Sequence, residues 1–279
     1  MKKCILLLSV TFQALFLSAA FAEELEMVNR PVNISGLTGL LITTAPYTLP
    51  KGMVEVGISA ISENSYKPYY GLTEYPATIT LGIRGNMEIG LRGSYFFRKE
   101  EPTKKERGAG DTELSYKWNF MPQPEYSHRP ALSLIVAGIA PTAAQDSKMN
   151  SVSHWGARAG FSTGTEISWG DHVMAICADA QVAFQDLSDE LDKDIYGIIN
   201  AGALFPISKY RNLQMLIEYT IVTGRNRITV NGGDYSAVTY GLRLVSERFN
   251  FTIGTRFVHK ELEGYDDSGK VIGMLSMKF

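Results

Sequence analysis

The sequence has few cysteines, little net charge and, after its first residues, no long apolar run. Of its two cysteines, Cys4 lies in the first residues, so the rest of the chain has a single thiol, Cys177, and cannot form an internal disulfide. The formal net charge of −2 at pH 7 gives no electrostatic case for a nucleic-acid partner. After residue 22 nothing approaches the roughly 18 consecutive apolar residues of a membrane-spanning helix, which excludes a helical membrane protein.

Residues 1–22 have the three parts of a secretory signal peptide. Met1 to Lys3 form a short basic start, and residues 4–22 are almost entirely apolar or small. The end of this run, Ala20-Phe21-Ala22, has the small-x-small pattern that signal peptidase cleaves, and two glutamates follow. An uncleaved anchor helix fits less well, because the apolar run is short and acidic residues follow it. We therefore expect export and cleavage near Ala22.

The remainder of the chain alternates between apolar and polar residues with period two. In 249–260, for example, the aromatic and aliphatic residues from Phe249 to Phe257 occupy every second position. Successive side chains of a β-strand point to opposite faces, whereas a helix would scatter these residues around its circumference. The alternation predicts twelve strands, at about 53–61, 74–84, 87–97, 110–120, 130–140, 154–165, 172–184, 195–205, 213–223, 235–245, 249–260 and 270–279.

The connections between these strands also alternate, between short turns such as 84–87 and 247–248 and longer polar loops such as 98–109. An even number of strands with short turns on one side and long loops on the other is typical of an outer-membrane barrel. A soluble β-sandwich or lipocalin-like barrel alternates too, but its outer face is charged. Here the polar face mixes charges with many Gly, Ser and Thr residues, as in 156–164, which is typical of a barrel lumen.

The predicted fold is all-β, a transmembrane antiparallel up-and-down β-barrel of about twelve strands over residues 53–279. Its last strand carries apolar residues at alternate positions and ends in Phe279. That ending resembles the assembly signal of bacterial outer-membrane barrels. The resemblance implies location in the bacterial outer membrane, with membrane lipid, lipopolysaccharide and the barrel-assembly machinery as partners.

The chain as a whole resembles porin-like or transporter-like outer-membrane barrels over residues 53–279. Within it, Gly36 to Ile42 followed by Leu49 to Gly52 resembles the opening of YjbH-type outer-membrane proteins, which are associated with exopolysaccharide export. Gly110 to Lys117 resembles a strand of barrel transporters grouped with phenol-degradation (MetA-type) proteins. Neither resemblance implies a particular substrate.

Charged residues of the strands fall on the parity opposite to the apolar residues. If the apolar faces meet lipid, where charges are costly, these residues line the lumen. The predicted lumen-lining residues are Glu55, Arg84, Glu88, Arg92, Glu113, Lys117, Arg158, Asp179, Glu218, Arg243 and Arg256. They would either set the selectivity of a water-filled conduit with some preference for anionic or polar solutes, or form a paired network that closes the lumen.

Residues 23–52 precede the first predicted strand and are too short for a domain. Their Gly, Pro and Thr content favours irregular structure. They are either a periplasmic extension, which is the simpler interpretation, or a plug inserted into the lumen.

The predicted function is that of a channel or transporter for small polar or anionic solutes, or of a barrel that assists the export of an envelope polymer. One alternative is a structural or assembly barrel with a closed lumen, and another is an outer-membrane hydrolase. A hydrolase needs a nucleophile beside a base, but alternation sends Ser153 and the adjacent His154 to opposite faces. We therefore expect no enzymatic activity, no cofactor and no metal site.

Overall fold

The computed structural model describes residues 30–65, 71–99, 105–123, 129–143, 155–169, 172–185, 194–207, 212–224, 233–260 and 268–279. The predicted signal peptide and its cleavage position near Ala22 lie outside the described residues, as does the pair Ser153 and His154. Within these ranges there is no helix with the length and apolar character needed to span a membrane.

The described part of the chain forms thirteen β-strands. They are β1 (Val54–Ser65), β2 (Gly71–Arg84), β3 (Met87–Lys99), β4 (Lys105–Ala109), β5 (Thr112–Met121), β6 (Ala131–Ala140), β7 (Gly156–Trp169), β8 (His172–Gln185), β9 (Asp194–Pro206), β10 (Leu213–Thr223), β11 (Tyr235–Val245), β12 (Phe249–Lys260) and β13 (Ser268–Lys278). All pairings between them are antiparallel, and twelve strands, all except β4, form one closed ring. The predicted fold class, a twelve-strand antiparallel barrel, is confirmed.

The last strand closes the barrel by pairing with the first. β13 runs against β1 from the pair Glu55 and Lys278 to the pair Ser65 and Ser268. Beyond these pairs the backbone N–H of Val54 donates to the carbonyl of Phe279 at 3.1 Å, and the N–H of Phe279 donates back at 2.8 Å. Closure leaves no unpaired edge on the twelve-strand ring, which is what a β-structure in lipid requires.

The two faces of the strands differ as the alternation predicts. In β10, Gln214, Leu216 and Glu218 are buried, while Met215 and Ile217 between them are exposed. The same contrast recurs around the ring, with aliphatic and aromatic side chains outside and mostly polar side chains inside. This distribution is the inverse of a soluble protein and suits an exterior that contacts lipid.

The barrel has two different ends. One end holds the short turns, at residues 85–86 and 247–248, together with the residues where β1 begins and β13 ends. We call it the short-turn end, and the opposite end the long-loop end.

The predicted loop 98–109 is partly wrong, because it contains β4. β3 pairs with β5 over Met87–Arg92, and farther along it pairs with β4 from Tyr95 to Lys99. β4 therefore prolongs the line of β5 at the long-loop end, after one extra residue around Gly110. The charged composition of this segment concealed a strand that pairs only with β3 and does not take part in the ring.

Candidate functional site: the lumen and the segment inside it

Residues 30–49, which we call the inner segment, form a compact irregular fold organised by the buried Asn33. The Asn33 side-chain oxygen accepts hydrogen bonds from the backbone N–H groups of Ser35 and Leu37 and from the Ser35 hydroxyl. Its amide nitrogen donates to the carbonyl of Ile42 at 3.1 Å and to the Thr44 hydroxyl. Gly36, with φ of 79°, supplies the left-handed turn between these bonds. The segment thus has internal structure although it contains no named strand or helix.

The inner segment lies inside the barrel and approaches every strand of the ring. In order from β1 to β13, omitting β4, the nearest wall residues include Gly57, Thr80, Glu88, Lys117, Ser133, Glu166, Asp179, Leu204, Glu218, Arg243, Gly254 and Ile272. Most of these wall residues lie in the half of the strand nearer the short-turn end. The segment therefore crosses the whole lumen in that half of the barrel.

Three wall carboxylates accept hydrogen bonds from N–H groups of the segment's backbone. Glu218 accepts from three consecutive residues, Leu41 to Thr43, at distances from 2.6 to 3.2 Å. Glu88 accepts from the backbone N–H of Thr38 and that of Leu49, each at 2.8 Å. Asp179 accepts from the backbone N–H of Thr44 at 2.8 Å. Hydrogen bonds to ionised carboxylates are the stronger kind, particularly away from water.

Wall donors bind the segment's carbonyl oxygens in the same way. The Lys117 ammonium donates to the carbonyl of Thr38 at 3.0 Å and that of Ala45 at 2.9 Å, and it pairs with Glu88 at 2.8 Å. The Arg243 guanidinium donates to the carbonyl of Gly39 at 3.3 Å. Smaller wall residues add bonds of the same type: the Thr80 hydroxyl donates to the carbonyl of Gly36, and the Ser133 hydroxyl to that of Pro46. Donors and acceptors of the wall thus match the polar backbone groups of the segment.

The segment itself contributes almost no charge. Residues 31–50 contain no charged side chain, and Arg30 at their edge pairs with Glu166 of the wall. The guanidinium of Arg30 also lies 3.6 Å from the ring centre of Tyr47. Burial raises the pKa of Tyr47 to about 12, so this phenol is neutral at physiological pH and donates to Gln123 at 2.6 Å. Apart from Arg30, the charges of the interface therefore belong to the barrel wall.

Inward-facing glycines leave room for the segment. A Cβ added at Gly90 of β3 would lie 2.1 Å from the carbonyl oxygen of Gly36. One added at Gly202 of β9 would lie 2.6 Å from the Leu40 side chain, and one at Gly254 of β12 would lie 2.8 Å from the Leu41 side chain. Any larger residue at these positions would overlap with the segment.

The half of the lumen toward the long-loop end has a different character. Arg92 pairs with Glu74, and Arg158 pairs with Glu113. Three of these side chains are partly accessible, with Arg92 24% exposed, whereas Lys117 and Glu88 beside the segment are 0% exposed. In this half the charges pair with one another rather than with the inner segment.

The remaining predicted lumen residues take three positions. Glu55 is buried near the short-turn end, where its carboxylate accepts hydrogen bonds from Asn250 and Ser276. Arg256 is partly buried on β12, opposite Lys270 of β13. Arg84 does not join the others: it is exposed at a register shift beside the turn 85–86. Phe279, the predicted assembly signal, is 71% exposed on the apolar exterior.

Several residues of the site were not predicted from the sequence. Glu166 has the inward parity but lies one residue beyond the predicted end of its strand at 165. Thr80 and Ser133 also have the inward parity, but uncharged hydroxyls on a polar face give no separate signal. Asn33 lies in a segment without periodicity, so no pattern marked it.

The described residues contain no group of three or more His, Cys, Asp or Glu side chains arranged to hold a metal ion. Cys177 is a free thiol, buried on the lumen face of β8. Gly164 is adjacent to both the Cys177 sulfur and Pro46 of the inner segment, so this thiol lies close to the interface.

No protein-family model matches the chain, and no curated protein matches it in sequence. The YjbH-type and MetA-type resemblances therefore remain predictions.

Solved structures of similar fold are known. An outer membrane channel from Pseudomonas putida F1 superposes with a TM-score of 0.62 at 11% identity, over 84% of this chain and 98% of that one. The translocator domain of the autotransporter NalP from Neisseria meningitidis gives 0.48 at 8% identity, over 83% and 89% of the two chains. The deltaS2S3 mutant of the TodX monoaromatic hydrocarbon channel gives 0.49 at 7% identity, over 90% and 99% of the two chains. The first likeness is close enough to show the architecture, and the chain has the fold of a bacterial outer-membrane β-barrel channel.

Proposed function

We propose that the protein is an outer-membrane channel that its own inner segment holds closed, and that it passes small polar solutes when this segment is displaced. The observation that supports the proposal is the position of the segment, which contacts all twelve strands of the ring through non-covalent bonds. A solute cannot pass along the axis while residues 30–49 occupy that half of the lumen.

The polarity of the wall favours a conduit over a permanently filled barrel. A wall that is always covered needs polar groups only where it binds the segment's backbone, as Lys117 and Glu88 do. Arg92 with Glu74 and Arg158 with Glu113 pair with one another rather than with the segment, and in a permanently filled barrel apolar residues of similar volume could often replace such pairs without loss. A wall that becomes hydrated when the segment leaves requires polar side chains, because water then replaces the lost hydrogen bonds.

The charge pattern fits solutes that are small and polar, including anionic ones. At the more accessible long-loop half, cations and carboxylates are adjacent to each other, as in Arg158 with Glu113 and Arg92 with Glu74. These adjacent cations and carboxylates can bind both negatively and positively charged groups of a solute. In the outer membrane, the apolar exterior would contact lipid and lipopolysaccharide. The exposed terminal Phe279 would be recognised by the assembly machinery.

A structural barrel with a closed lumen is the second candidate. The observation in its favour is the completeness of the interface, in which Glu88 alone accepts bonds from Thr38, Leu49 and Lys117. In that case the inner segment would be a permanent core of the barrel.

Single-channel recording in planar bilayers distinguishes a channel that can open from a permanently closed structural barrel. We expect the refolded chain from residue 23 onward to show rare openings, because the inner segment fills the lumen. Glu218→Gln removes the charge that binds three backbone N–H groups and should raise the open probability by about tenfold or more. Deletion of residues 30–49 should give persistent, ion-selective conductance.

Glu63→Gln is the matched control, because Glu63 faces the lumen near the long-loop end and pairs there with Lys270 at 3.0 Å. It should leave the open probability unchanged. If the deletion variant refolds, as judged by heat-modifiable gel mobility, and yet conducts no ions, the channel proposal is wrong and the structural barrel stands.

A further inference from the structure

We infer that the inner wall of the barrel is a recognition site for uncharged polypeptide, and that residues 31–49 of the inner segment are its built-in ligand. This inference names the class of ligand that the lumen binds. It rests on the proposed function, because the segment must be released before another ligand can bind. The displacing ligand would be a short stretch of neutral polypeptide rather than a lipid or a metal ion.

The first support is that the wall binds mainly the backbone of the segment. The strongest cluster is Glu218, which accepts N–H groups from Leu41, Ile42 and Thr43 and from no side chain of the segment. Lys117 likewise binds two backbone carbonyls of the segment. Groups that every peptide carries therefore make most of the polar bonds.

The second support is that the wall places hydrogen-bond acceptors opposite the segment's donors and donors opposite its acceptors. Carboxylates are placed where the segment presents N–H groups, and ammonium, guanidinium or hydroxyl groups where it presents carbonyls. A hydrocarbon or lipid tail offers neither kind of group and would leave Glu218 buried without a donor. A metal ion would satisfy the carboxylates but not Lys117 and Arg243. A chain of amide groups satisfies both sets, at the positions where the segment's own backbone does so.

The side chains of the segment indicate which peptides fit. Leu40 packs with Ala175 and Leu204, and Leu41 packs with Val32, Leu216 and Ile272. These two leucines approach the wall glycines at 202 and 254, where no larger wall residue fits. A charged side chain at either place would be buried without a partner. The fitting ligand is thus uncharged, with adjacent aliphatic residues between small ones.

The test uses the full chain, folded first and opened afterwards. Lys51 and Gly52 are exposed between the inner segment and β1, so a recognition sequence for a specific protease can be inserted there. After refolding and cleavage, a fluorescent synthetic peptide of residues 31–50, which contains no charged side chain, is added. We expect saturable binding of one peptide per barrel, followed by fluorescence anisotropy, together with loss of the conductance that cleavage produces.

A matched peptide separates backbone recognition from side-chain packing. N-methylation of residues 41, 42 and 43 removes the three donors to Glu218 but keeps every side chain. We expect its affinity to fall by about tenfold or more. In the Glu218→Gln barrel the unmodified peptide should bind more weakly and N-methylation should matter less. The Glu63→Gln barrel should behave as the unaltered one.

Three other outcomes are possible, and each contradicts a different part of the proposal. If the cleaved barrel conducts ions but takes up no peptide, the inference is wrong while the proposed channel stands. If the N-methylated peptide binds as tightly as the unmodified one, backbone recognition is wrong. If cleavage and washing never produce conductance, the segment is not released, and the inference fails together with the proposed function.

Discussion

At the scale of single residues, inward-facing glycines determine how closely the inner segment approaches the wall. Gly90 and Gly93 lie on the same strand but face opposite sides of the barrel. A Cβ at Gly90 would overlap with the backbone of Gly36, whereas a Cβ at Gly93 would have no heavy atom within 4 Å. The two positions therefore separate the effect of the inner segment from the effect of losing a glycine.

We expect Gly90→Ala to lower the free energy of unfolding by about 1–3 kcal/mol, the usual range for an overpacked interior. Gly93→Ala should change it by less than about 0.5 kcal/mol. Urea unfolding of the refolded barrels in detergent micelles measures both. Equal stability of the two variants would mean that the inner segment does not contact β3 as described.

The buried pair of Lys117 and Glu88 gives a second test at this scale. Lys117→Met should destabilise the protein by about 3–5 kcal/mol, because it leaves the Glu88 carboxylate buried without its cation. Adding Glu88→Gln should restore part of that loss, since the double variant has no unpaired buried charge. A double variant less stable than Lys117→Met would contradict this view of the pair. Urea unfolding of the single and the double variant measures both stabilities.

At the scale of elements, the sequence predicted the strands well because lipid outside and polar groups inside impose opposite chemistry on alternate residues. β12 shows this clearly, with Phe249 and Ile253 exposed and Asn250 and Thr252 buried. Strand ends were less predictable: β1 extends to Ser65 rather than to residue 61. Beyond the lipid region the outer face no longer has to be apolar, so the alternation fades while the pairing continues.

For the inner segment, the sequence left two positions open, a periplasmic extension and a plug in the lumen, and offered no periodicity to decide between them. An irregular segment has no period, and its contacts with Glu218 and Lys117 use backbone atoms that are common to every residue. Two signals were nonetheless present: the absence of charge in residues 31–50, and glycines at inward positions such as Gly90 and Gly202. Both signals indicate that some part of the chain approaches the inner wall closely, but neither shows which part it is.

β4 provides a prediction about an element. The ring is closed by pairing of β3 with β5, so the hairpin of β3 and β4 should be dispensable. Replacing residues 95–110 by an Asn-Gly turn removes β4 together with the part of β3 that pairs with it, and residues 94 and 111 then flank the turn in the register of β3 with β5. This variant should preserve heat-modifiable mobility, because the pairs of β3 with β5 from Met87 to Arg92 remain. Ser115→Pro is the contrasting variant, because Ser115 pairs with both Gly90 and Ala137 inside the ring and proline cannot donate to it. Failure of the shortened protein to fold would show that β4 is needed for closure.

At the scale of the whole molecule, the protein combines an apolar exterior, a polar inner wall and a segment in one half of the lumen whose single charged residue is Arg30. Each layer suits the next: the outer side chains are apolar, as contact with lipid requires, the ring satisfies the strand backbone, and the wall binds the backbone of the segment. In the proposed channel, the lumen is blocked only while residues 30–49 stay in place. The ring of strands is closed by its own pairing and does not depend on the segment.

Reactivity of Cys177 measures that closure directly, because this thiol is 1% exposed on the lumen face close to Pro46. A small charged methanethiosulfonate reagent is added to the folded chain from residue 23 onward, which contains no other cysteine, and to the same chain without residues 30–49. We expect the full chain to react at least about a hundred times more slowly, since buried thiols are inert. Equal rates in the two folded proteins would mean that the inner segment does not close the lumen.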